Sequence, residues 1–362
     1  MTGADGRPLR SLHVITSDAR RGAETFAVHL VESLRAQGQP ARLVALARSE
    51  SQHPHAVSVL GARRRTVGTF RALRRHARGA DVVVAHGSDT LEACAVGIAG
   101  TGVPFVYRSI GDPTYWVAPG ARRAAVGMLH RRAQRHVALW HGAAEQLASR
   151  YRLPQSRIDV VPNAVPAGQF PRASDGDRQR ARARLGLAPD ASCVAAVGAL
   201  STEKDLPSLL AALEGLDVVG LIAGDGPERG ALHRKAEAMH GADVRFLGAV
   251  EHPGDVYAAA DLLVLPSRTE GMPAAVIEAG LTGTPAVATA VGALPEMLDH
   301  GRTGFLVQPA DPAGLARTIR EALPVAREVG ARAADEFARC YTIEHVTPCW
   351  ARVLERAAQR GR

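Results

Sequence analysis

One stretch in the second half of the chain constrains the fold more than any other. Residues 262–265 form a short apolar run that predicts a buried strand. Pro273 suits the first residue of a helix, where a missing N–H costs nothing, and residues 274–281 then predict the helix. Gly283 ends that helix, and Val287 opens another strand. Strands that alternate with helices in this way are typical of a doubly wound parallel sheet in an α/β protein.

The start of this predicted helix is suited to bind an anion. The first amides of a helix lack intrahelical acceptors and lie at the positive end of its dipole, so they favour phosphate. Pro273 has no N–H, and the candidate donors are therefore the amides of Met272, Ala274 and Ala275. Glu270 and Glu278 flank this position, and two such carboxylates can hold the hydroxyls of two sugars joined by a diphosphate. On spacing alone, one loop acid and one helix-face acid is the commoner explanation.

The pattern also resembles the signature of an enzyme family. Glu270, seven residues, Glu278 and then Gly283-x-Pro285 is similar to the Glu-x7-Glu signature of the retaining nucleotide-sugar glycosyltransferases of family 4. The resemblance implies that Glu270 acts in catalysis by facing the donor sugar, with Gly271 beside it, and that Glu278 holds the ribose. It implies a GT-B fold, in which two doubly wound Rossmann-like domains face a cleft.

A second motif lies earlier in the same half. Residues 193–197 predict a strand, and Gly198-Ala-Leu-Ser-Thr-Glu-Lys204 resembles the family's Gly-Arg-Leu-x3-Lys phosphate loop. Lys204 is one of only two lysines in the chain, and a compact ammonium suits a point contact to a diphosphate. The resemblance implies that Gly198 and Lys204 bind the donor and that Lys204 takes part in catalysis. Ala199 replaces an arginine that also binds the diphosphate in the family, and Arg268 is our candidate substitute.

The first half predicts the other domain. Its predicted strands alternate with helices and lie at residues 12–16, 42–47, 82–85 and 103–107. Arg21-Gly22-Ala23-Glu24 resembles the family's Gly-Gly-Ala-Glu turn, which implies that Gly22 lies near the donor. Ligands of such sheets bind beyond the carboxyl ends of the strands, where His86, Arg108 and Asp112 fall. Ile110 replaces the family's donor-contacting histidine, so either His86 or Arg108 contributes instead or the donor contacts differ, and His86 also suits a loop histidine bonded to backbone.

The sequence predicts four segments. Residues 1–165 form an acceptor-side Rossmann-like domain, 166–190 a linker, 191–336 the nucleotide-sugar-binding domain, and 337–362 helices that pack back on the first domain. Asp175-Gly-Asp177 is similar to a glycosyltransferase metal motif, but its place in the linker favours a solvated loop. We therefore expect neither a metal nor another cofactor, and the nucleotide sugar is a co-substrate.

The charge of the chain is uneven. Residues 1–165 carry a net charge of +12 and the remainder −4. A basic first half suggests an anionic partner such as a membrane surface or a lipid-linked or phosphate-bearing acceptor, and arginines spread over solvated faces explain it equally well. The basic segments 63–78 and 122–135 read as helices that either lie on an anionic membrane or face solvent.

Composition and sequence pattern indicate where in the cell the protein is located. No apolar run reaches the length of about twenty residues that a membrane span needs, and the first residues do not resemble an export signal. The four cysteines lack the spacing of a metal site and suggest free thiols. We therefore expect a cytoplasmic protein, with peripheral contact at the inner face of the plasma membrane allowed by its basic segments.

These features predict a metal-independent, retaining hexosyltransferase. It would move a sugar from a nucleoside diphosphate, UDP or GDP, to an acceptor hydroxyl in the biosynthesis of a cell-surface glycan, a glycolipid or a small glycoside. The departures at Ala199 and Ile110 leave a second possibility, a weakly active nucleotide-sugar-binding scaffold subunit. Nucleic-acid binding is disfavoured because aromatic residues, which stack on bases, are only 4% of the chain.

Overall fold

The structure, a computed structural model, describes residues 7–50, 53–111, 121–239 and 243–359. These residues form two compact units. The first unit runs to Ala164 and also takes in the chain from Ile343 onward, and the second comprises Val165–Thr342.

The first unit contains a seven-stranded parallel sheet with strand order β3-β2-β1-β4-β5-β6-β7. Its strands are β1 (Ser11–Ser17), β2 (Ala41–Ala47), β3 (Ser58–Gly61), β4 (Val82–His86), β5 (Phe105–Arg108), β6 (Arg135–Ala138) and β7 (Ile158–Val160). Its helices are α1 (Gly22–Ala36), α2 (Val67–Ala77), α3 (Ser88–Gly97), α4 (Ala121–Arg132), α5 (His141–Tyr151) and, from the end of the chain, α14 (Ile343–Gln359).

The second unit contains a six-stranded parallel sheet with strand order β10-β9-β8-β11-β12-β13. Its strands are β8 (Cys193–Val197), β9 (Val219–Ala223), β10 (Asp243–Gly248), β11 (Leu262–Leu265), β12 (Ala286–Thr289) and β13 (Gly304–Val307). Its helices are α6 (Asp175–Arg184), α7 (Leu206–Leu213), α8 (Arg229–Glu237), α9 (Gly254–Ala259), α10 (Ala274–Thr282), α11 (Leu294–Met297), α12 (Pro312–Ala322) and α13 (Ala326–Cys340). Two doubly wound sheets confirm the predicted pair of Rossmann-like domains.

The last helix completes the core of the first unit. The apolar face of α1, which includes Phe26 and Leu30, meets α14 over the sheet. Trp350 of α14 is fully buried, and its ring centroid lies 6.2 Å from that of Phe26. The chain passes from the second unit to the first between Thr342 and Ile343. Helix α13 continues to Cys340, so the second unit extends beyond the predicted boundary at residue 336.

The segment predicted as a linker is structured instead. Residues 166–190 belong to the second unit and contain α6, whose first turn holds the Asp175-Gly-Asp177 that the sequence suggested was a loop. The Ser174 hydroxyl accepts a hydrogen bond from the Asp177 amide, and the Asp177 carboxylate accepts one in return from the Ser174 amide. Arg178 then donates to the carbonyl of Ala260 at the end of α9, at 2.8 Å. A reciprocal cap and an arginine that reaches the neighbouring helix explain why this charged segment folds.

The two basic segments are only partly helical. Helix α2 begins at Val67, so Arg63, Arg64 and Arg65 lie in the turn before it. Helix α4 covers most of the second segment, but Arg135 lies in β6 rather than on the helix. Its side chain is buried and pairs with Asp159 at 2.6 Å, so it is not a surface cation. Within the described ranges, no helix has both the length and the apolarity to cross a membrane.

Candidate functional site

Four loops meet at one edge of the second sheet. They follow β8, β9, β11 and β12 and cover residues 198–205, 224–228, 266–273 and 290–293. The carboxyl ends of parallel strands lie on the same side of a sheet, so these loops are neighbours, and such an edge is the usual ligand-binding position of the fold.

Glycine allows the loops after β8 and β9 to pack backbone against backbone. The Gly198 amide donates to the Ala223 carbonyl at 3.0 Å, and the Leu200 amide donates to the Asp225 carbonyl at 3.0 Å. Gly224 has a φ of +150°, and a Cβ there would lie 1.8 Å from the Gly198 carbonyl oxygen. Only glycine fits this contact, which fixes the course of the loop that carries Lys204.

The loop that carries Glu270 is fixed from both sides. The Arg268 amide donates to the Glu203 carbonyl at 2.8 Å, which ties the loop to the one after β8. From the β12 side, the Ala293 amide donates to the Gly271 carbonyl at 2.9 Å. Gly292 has a φ of +58°, and a Cβ there would lie 2.1 Å from the Glu270 carbonyl oxygen. The backbone at Glu270 is therefore set by contacts on two loops.

Lys204 and Glu270, predicted from separate motifs, are in direct contact. The Lys204 Nζ lies 2.6 Å from Glu270 Oε1, and the Ser267 hydroxyl donates to the same oxygen at 2.6 Å. The glutamate side chain is 8% exposed and the lysine side chain 27%. A small pocket at Lys204 is lined by the ends of β8 and β11 and by the loops that follow them, including Gly198 and Ala199. A half-buried ammonium at a pocket can meet an anionic group of a ligand.

Glu278 lies on α10 and is half-buried. The fully buried Tyr257 of α9 donates its phenol proton to Glu278 Oε2 at 2.7 Å. Burial raises the pKa of Glu278, and the hydrogen bond from Tyr257 opposes that change. Burial and the nearby carboxylate raise the pKa of Tyr257 well above its ordinary value, so the phenol stays protonated and remains a donor.

The start of α10 differs slightly from the prediction. Pro273 is extended, with φ −71° and ψ 123°, and caps the helix instead of beginning it. Ala274 and Ala275 form the first turn, where amides have no intrahelical acceptor, and Met272 is buried just before them. The predicted amide donors thus lie at the N-terminus of a nine-residue helix, at the same sheet edge as Lys204.

Arg268 contacts the neighbouring loop. Its Nε lies 3.3 Å from Oδ2 of Asp205, which is buried, whereas the arginine side chain is 57% exposed. Ala199, where the family has arginine, is exposed on the loop after β8. The proposed substitute cation is therefore paired with Asp205, the residue that follows Lys204 in the chain.

Two predicted residues of the first unit, His86 and Arg108, are buried. His86 is buried, with its Nε2 3.0 Å from Nδ1 of His13. Arg108 is also buried, lies 3.9 Å over the ring of Phe26 and donates to Asn163 at 3.1 Å. Burial lowers the pKa of Arg108 to about 9. Because both side chains are almost fully buried, neither can contact a sugar in this conformation.

The other predictions in this unit have separate outcomes. Gly22 is exposed at the first turn of α1, with open space where a Cβ would be. Asp112 lies outside the described residues.

Sequence reasoning missed Ser267 and Tyr257, which hold the two carboxylates. Ser267 follows directly after the Pro266 that ends the predicted strand, and Tyr257 is the aromatic residue of a short alanine-rich helix. No sequence pattern marks either residue as functional, because only the fold brings each hydroxyl to its carboxylate.

The family comparison matches each half of the chain. Residues 20–169 match the model described as Glycosyltransferase Family 4, and residues 191–324 match the model described as Glycosyl transferases group 1. Similar proteins include the D-inositol 3-phosphate glycosyltransferase of Streptomyces avermitilis, which is 35% identical over 67% of this chain and 56% of its own length. The protein of the same name from Mycolicibacterium gilvum is 35% identical over 56% of this chain and 47% of its own length. The chain spans about half the length of these relatives.

Solved structures share the fold. Anabaena HepE, crystallised with UDP and glucose, superposes with a TM-score of 0.83 at 20% identity, covering 96% of this chain and 99% of its own. WaaG, a glycosyltransferase of lipopolysaccharide biosynthesis, gives a TM-score of 0.74 at 17% identity, covering 95% and 99%. These likenesses confirm the GT-B fold.

Proposed function

This chain belongs to the glycosyltransferases of family 4 and group 1, and we propose that it moves a sugar from a nucleoside diphosphate to an acceptor hydroxyl with retention at the anomeric carbon. The observation that carries the proposal is the contact of Lys204 with Glu270 at the sheet edge where α10 begins. A cation, the amides of the first turn of α10 and a carboxylate at one edge match a diphosphate that bears a sugar.

The leaving diphosphate is stabilised by protein groups. When the glycosidic bond breaks, negative charge develops on the diphosphate. Lys204 and the amides at the start of α10 lie where they oppose that charge, and fixed donors of this kind lower the energy of a transition state. The proposal therefore needs no metal.

The two carboxylates position the donor. Glu270 accepts hydrogen bonds from the hydroxyls of the transferred sugar, and Glu278 accepts them from the ribose. Retention then follows from attack by the acceptor hydroxyl on the face that the diphosphate leaves, with Glu270 as a positioning group rather than a covalent nucleophile. The first unit supplies the acceptor side.

The comparisons favour particular substrates. HepE was crystallised with UDP and glucose, so among UDP and GDP we propose UDP as the nucleotide. The relatives are named for D-inositol 3-phosphate, and the first half of this chain is basic, so we propose an acceptor that bears phosphate, free or lipid-linked. A lipid-linked acceptor would place the protein at the inner face of the plasma membrane.

Turnover assays test the proposal. The protein is incubated with UDP-, GDP-, ADP- and dTDP-sugars, with and without D-inositol 3-phosphate and with EDTA. We expect release of one nucleoside diphosphate, faster with acceptor, unchanged by EDTA, and a product whose anomeric proton coupling matches that of the donor. An inverted product refutes retention, and loss of activity in EDTA refutes metal independence. Tight nucleotide binding without turnover on any acceptor favours the scaffold function instead.

A further inference from the structure

Each carboxylate of the proposed donor site is held through one oxygen only. Glu270 Oε1 accepts from the Ser267 hydroxyl and from Lys204, both at 2.6 Å. Glu278 Oε2 accepts from the Tyr257 phenol at 2.7 Å. The other oxygens, Glu270 Oε2 and Glu278 Oε1, have no hydrogen-bond partner within the described part of the chain. Both carboxylates therefore keep one oxygen to accept from a ligand.

The two hydroxyl donors are themselves fixed. Ser267 and Tyr257 are fully buried. The backbone carbonyl of Ser267 accepts from the Thr289 hydroxyl at 2.6 Å, and that of Tyr257 accepts from the Thr284 hydroxyl at 2.7 Å. Satisfied buried hydrogen bonds are rigid, so each hydroxyl favours the rotamer of its carboxylate that keeps the bonded oxygen beside it.

We propose that Ser267 and Tyr257 are positioning residues, which fix one oxygen of Glu270 and of Glu278 respectively and thereby present the other to a substrate hydroxyl. Ser267 acts on the transferred sugar through Glu270. Tyr257 acts on the ribose through Glu278. This inference rests on the proposed function, since it takes the roles of the two glutamates from it.

The two residues have separable effects. Removing the Tyr257 hydroxyl releases Glu278 and weakens recognition of the ribose, while the sugar end of the donor is untouched. Removing the Ser267 hydroxyl leaves Glu270 held only by Lys204, which the diphosphate also requires, and weakens recognition of the sugar. A purely structural role would instead lower the affinity for every ligand together.

Ratios of dissociation constants between pairs of ligands measure the two effects on ribose and sugar recognition. Dissociation constants are measured by calorimetry for UDP, UDP-glucose and 2′,3′-dideoxy-UDP, with other nucleotides substituted if UDP does not bind. We expect Tyr257→Phe to reduce the preference for UDP over its dideoxy analogue by about tenfold, the effect of one charge-assisted hydrogen bond. Ser267→Ala should leave that preference within about twofold and reduce the preference for UDP-glucose over UDP by about tenfold.

Matched variants control for general damage. Tyr341→Phe and Ser192→Ala make the same changes elsewhere in the second unit and should leave both ratios unchanged. Each ratio is measured within one variant, so a uniform loss of affinity cancels. In a double-mutant cycle, Tyr257→Phe should have no further effect on the ribose preference when combined with Glu278→Ala.

The outcomes separate this inference from the proposed function. If the wild-type protein binds no nucleotide, the proposed function fails. If it binds nucleotides and both variants leave both ratios unchanged, the function stands and the positioning roles are refuted. An effect of Tyr257→Phe that persists without the Glu278 carboxylate also refutes its action through that residue.

Discussion

Gly292 shows how strongly a single position constrains the candidate site. Its φ of +58° and the 2.1 Å separation of a built Cβ from the Glu270 carbonyl oxygen leave no room for a side chain. We expect Gly292→Ala to displace the loop of Glu270, to lower the free energy of unfolding by about 1–3 kcal/mol and to reduce turnover. Urea unfolding and the transferase assay measure the two effects.

A second glycine serves as the control. Gly230 is exposed on α8, where a Cβ would meet only the end of the Arg234 side chain at 3.6 Å. Gly230→Ala should leave turnover unchanged and raise stability slightly, since alanine favours helix. If Gly292→Ala behaves like Gly230→Ala, the loop is not held as described.

Sequence motifs identified the candidate site residues of the second unit because each motif lies in a loop directly after a strand. Lys204 and Glu270 come from loops after β8 and β11, neighbouring strands of the sheet, and the structure brings them together at 2.6 Å. The sequence could not show that His86 and Arg108 are buried. Both faces of a doubly wound sheet are covered by helices, so the end of a strand does not tell which side chains point inward.

Among the secondary-structure elements, α6 is the one whose amino-acid composition gave a wrong prediction. Its residues are largely charged, which favours a linker. The signal for a helix is Ser174 followed three residues later by Asp177, the spacing of a reciprocal helix cap. The apolar runs in the sequence predicted β8 and β11 at their observed bounds, because parallel strands that are buried on both faces are continuously apolar.

The cap of α6 supplies the second prediction. Ser174→Ala removes the acceptor for the Asp177 amide, a bond of 3.1 Å, and should lower the free energy of unfolding of the second unit by about 1 kcal/mol. Ser174→Asn retains a capping side chain and should cost little. Chemical denaturation followed by circular dichroism compares them, and equal stability of the two variants would mean that the cap contributes nothing.

At the scale of the whole molecule, buried histidines are concentrated in the first unit. Burial, reinforced by nearby positive charge, lowers the pKa of His13 to about 3 and that of His136 to about 4. Burial also lowers the pKa of His130 to about 3 and takes that of His86 well below its usual range. These groups stay neutral in the folded protein while the unfolded chain gains protons below its ordinary histidine pKa of 6.5. Stability is therefore full above that pH and falls as the pH drops towards the folded values.

The third prediction follows from this distribution. At pH 5 each such histidine should lower the stability of the first unit by about 2 kcal/mol. The tryptophans all fall within the sequence segments of that unit, so their fluorescence reports its unfolding. Between pH 7 and pH 5, the urea midpoint measured by fluorescence should drop more than the midpoint measured by circular dichroism, which reports both units. Equal shifts in the two signals would contradict the prediction.

His136→Phe tests the cause. Neither ring nitrogen of His136 has a hydrogen-bond partner among the described residues, so the substitution sacrifices no such bond. It should reduce the loss of stability between pH 7 and pH 5 by about 2 kcal/mol. An unchanged pH dependence would show that this histidine takes up protons alike in the folded and unfolded states, so that burial does not lower its pKa.

Calorimetric titration of UDP into three proteins tests whether the sheet edge around Lys204 binds a nucleoside diphosphate. Lys235, the other lysine of the chain, is exposed on α8 and donates to the Pro207 carbonyl at 2.9 Å, so Lys235→Ala is a matched control. We expect Lys204→Ala to weaken binding by about tenfold or more, because a charge-assisted contact is lost, and Lys235→Ala to bind as the wild type does. Equal affinity of all three proteins would show that Lys204 does not bind the nucleotide.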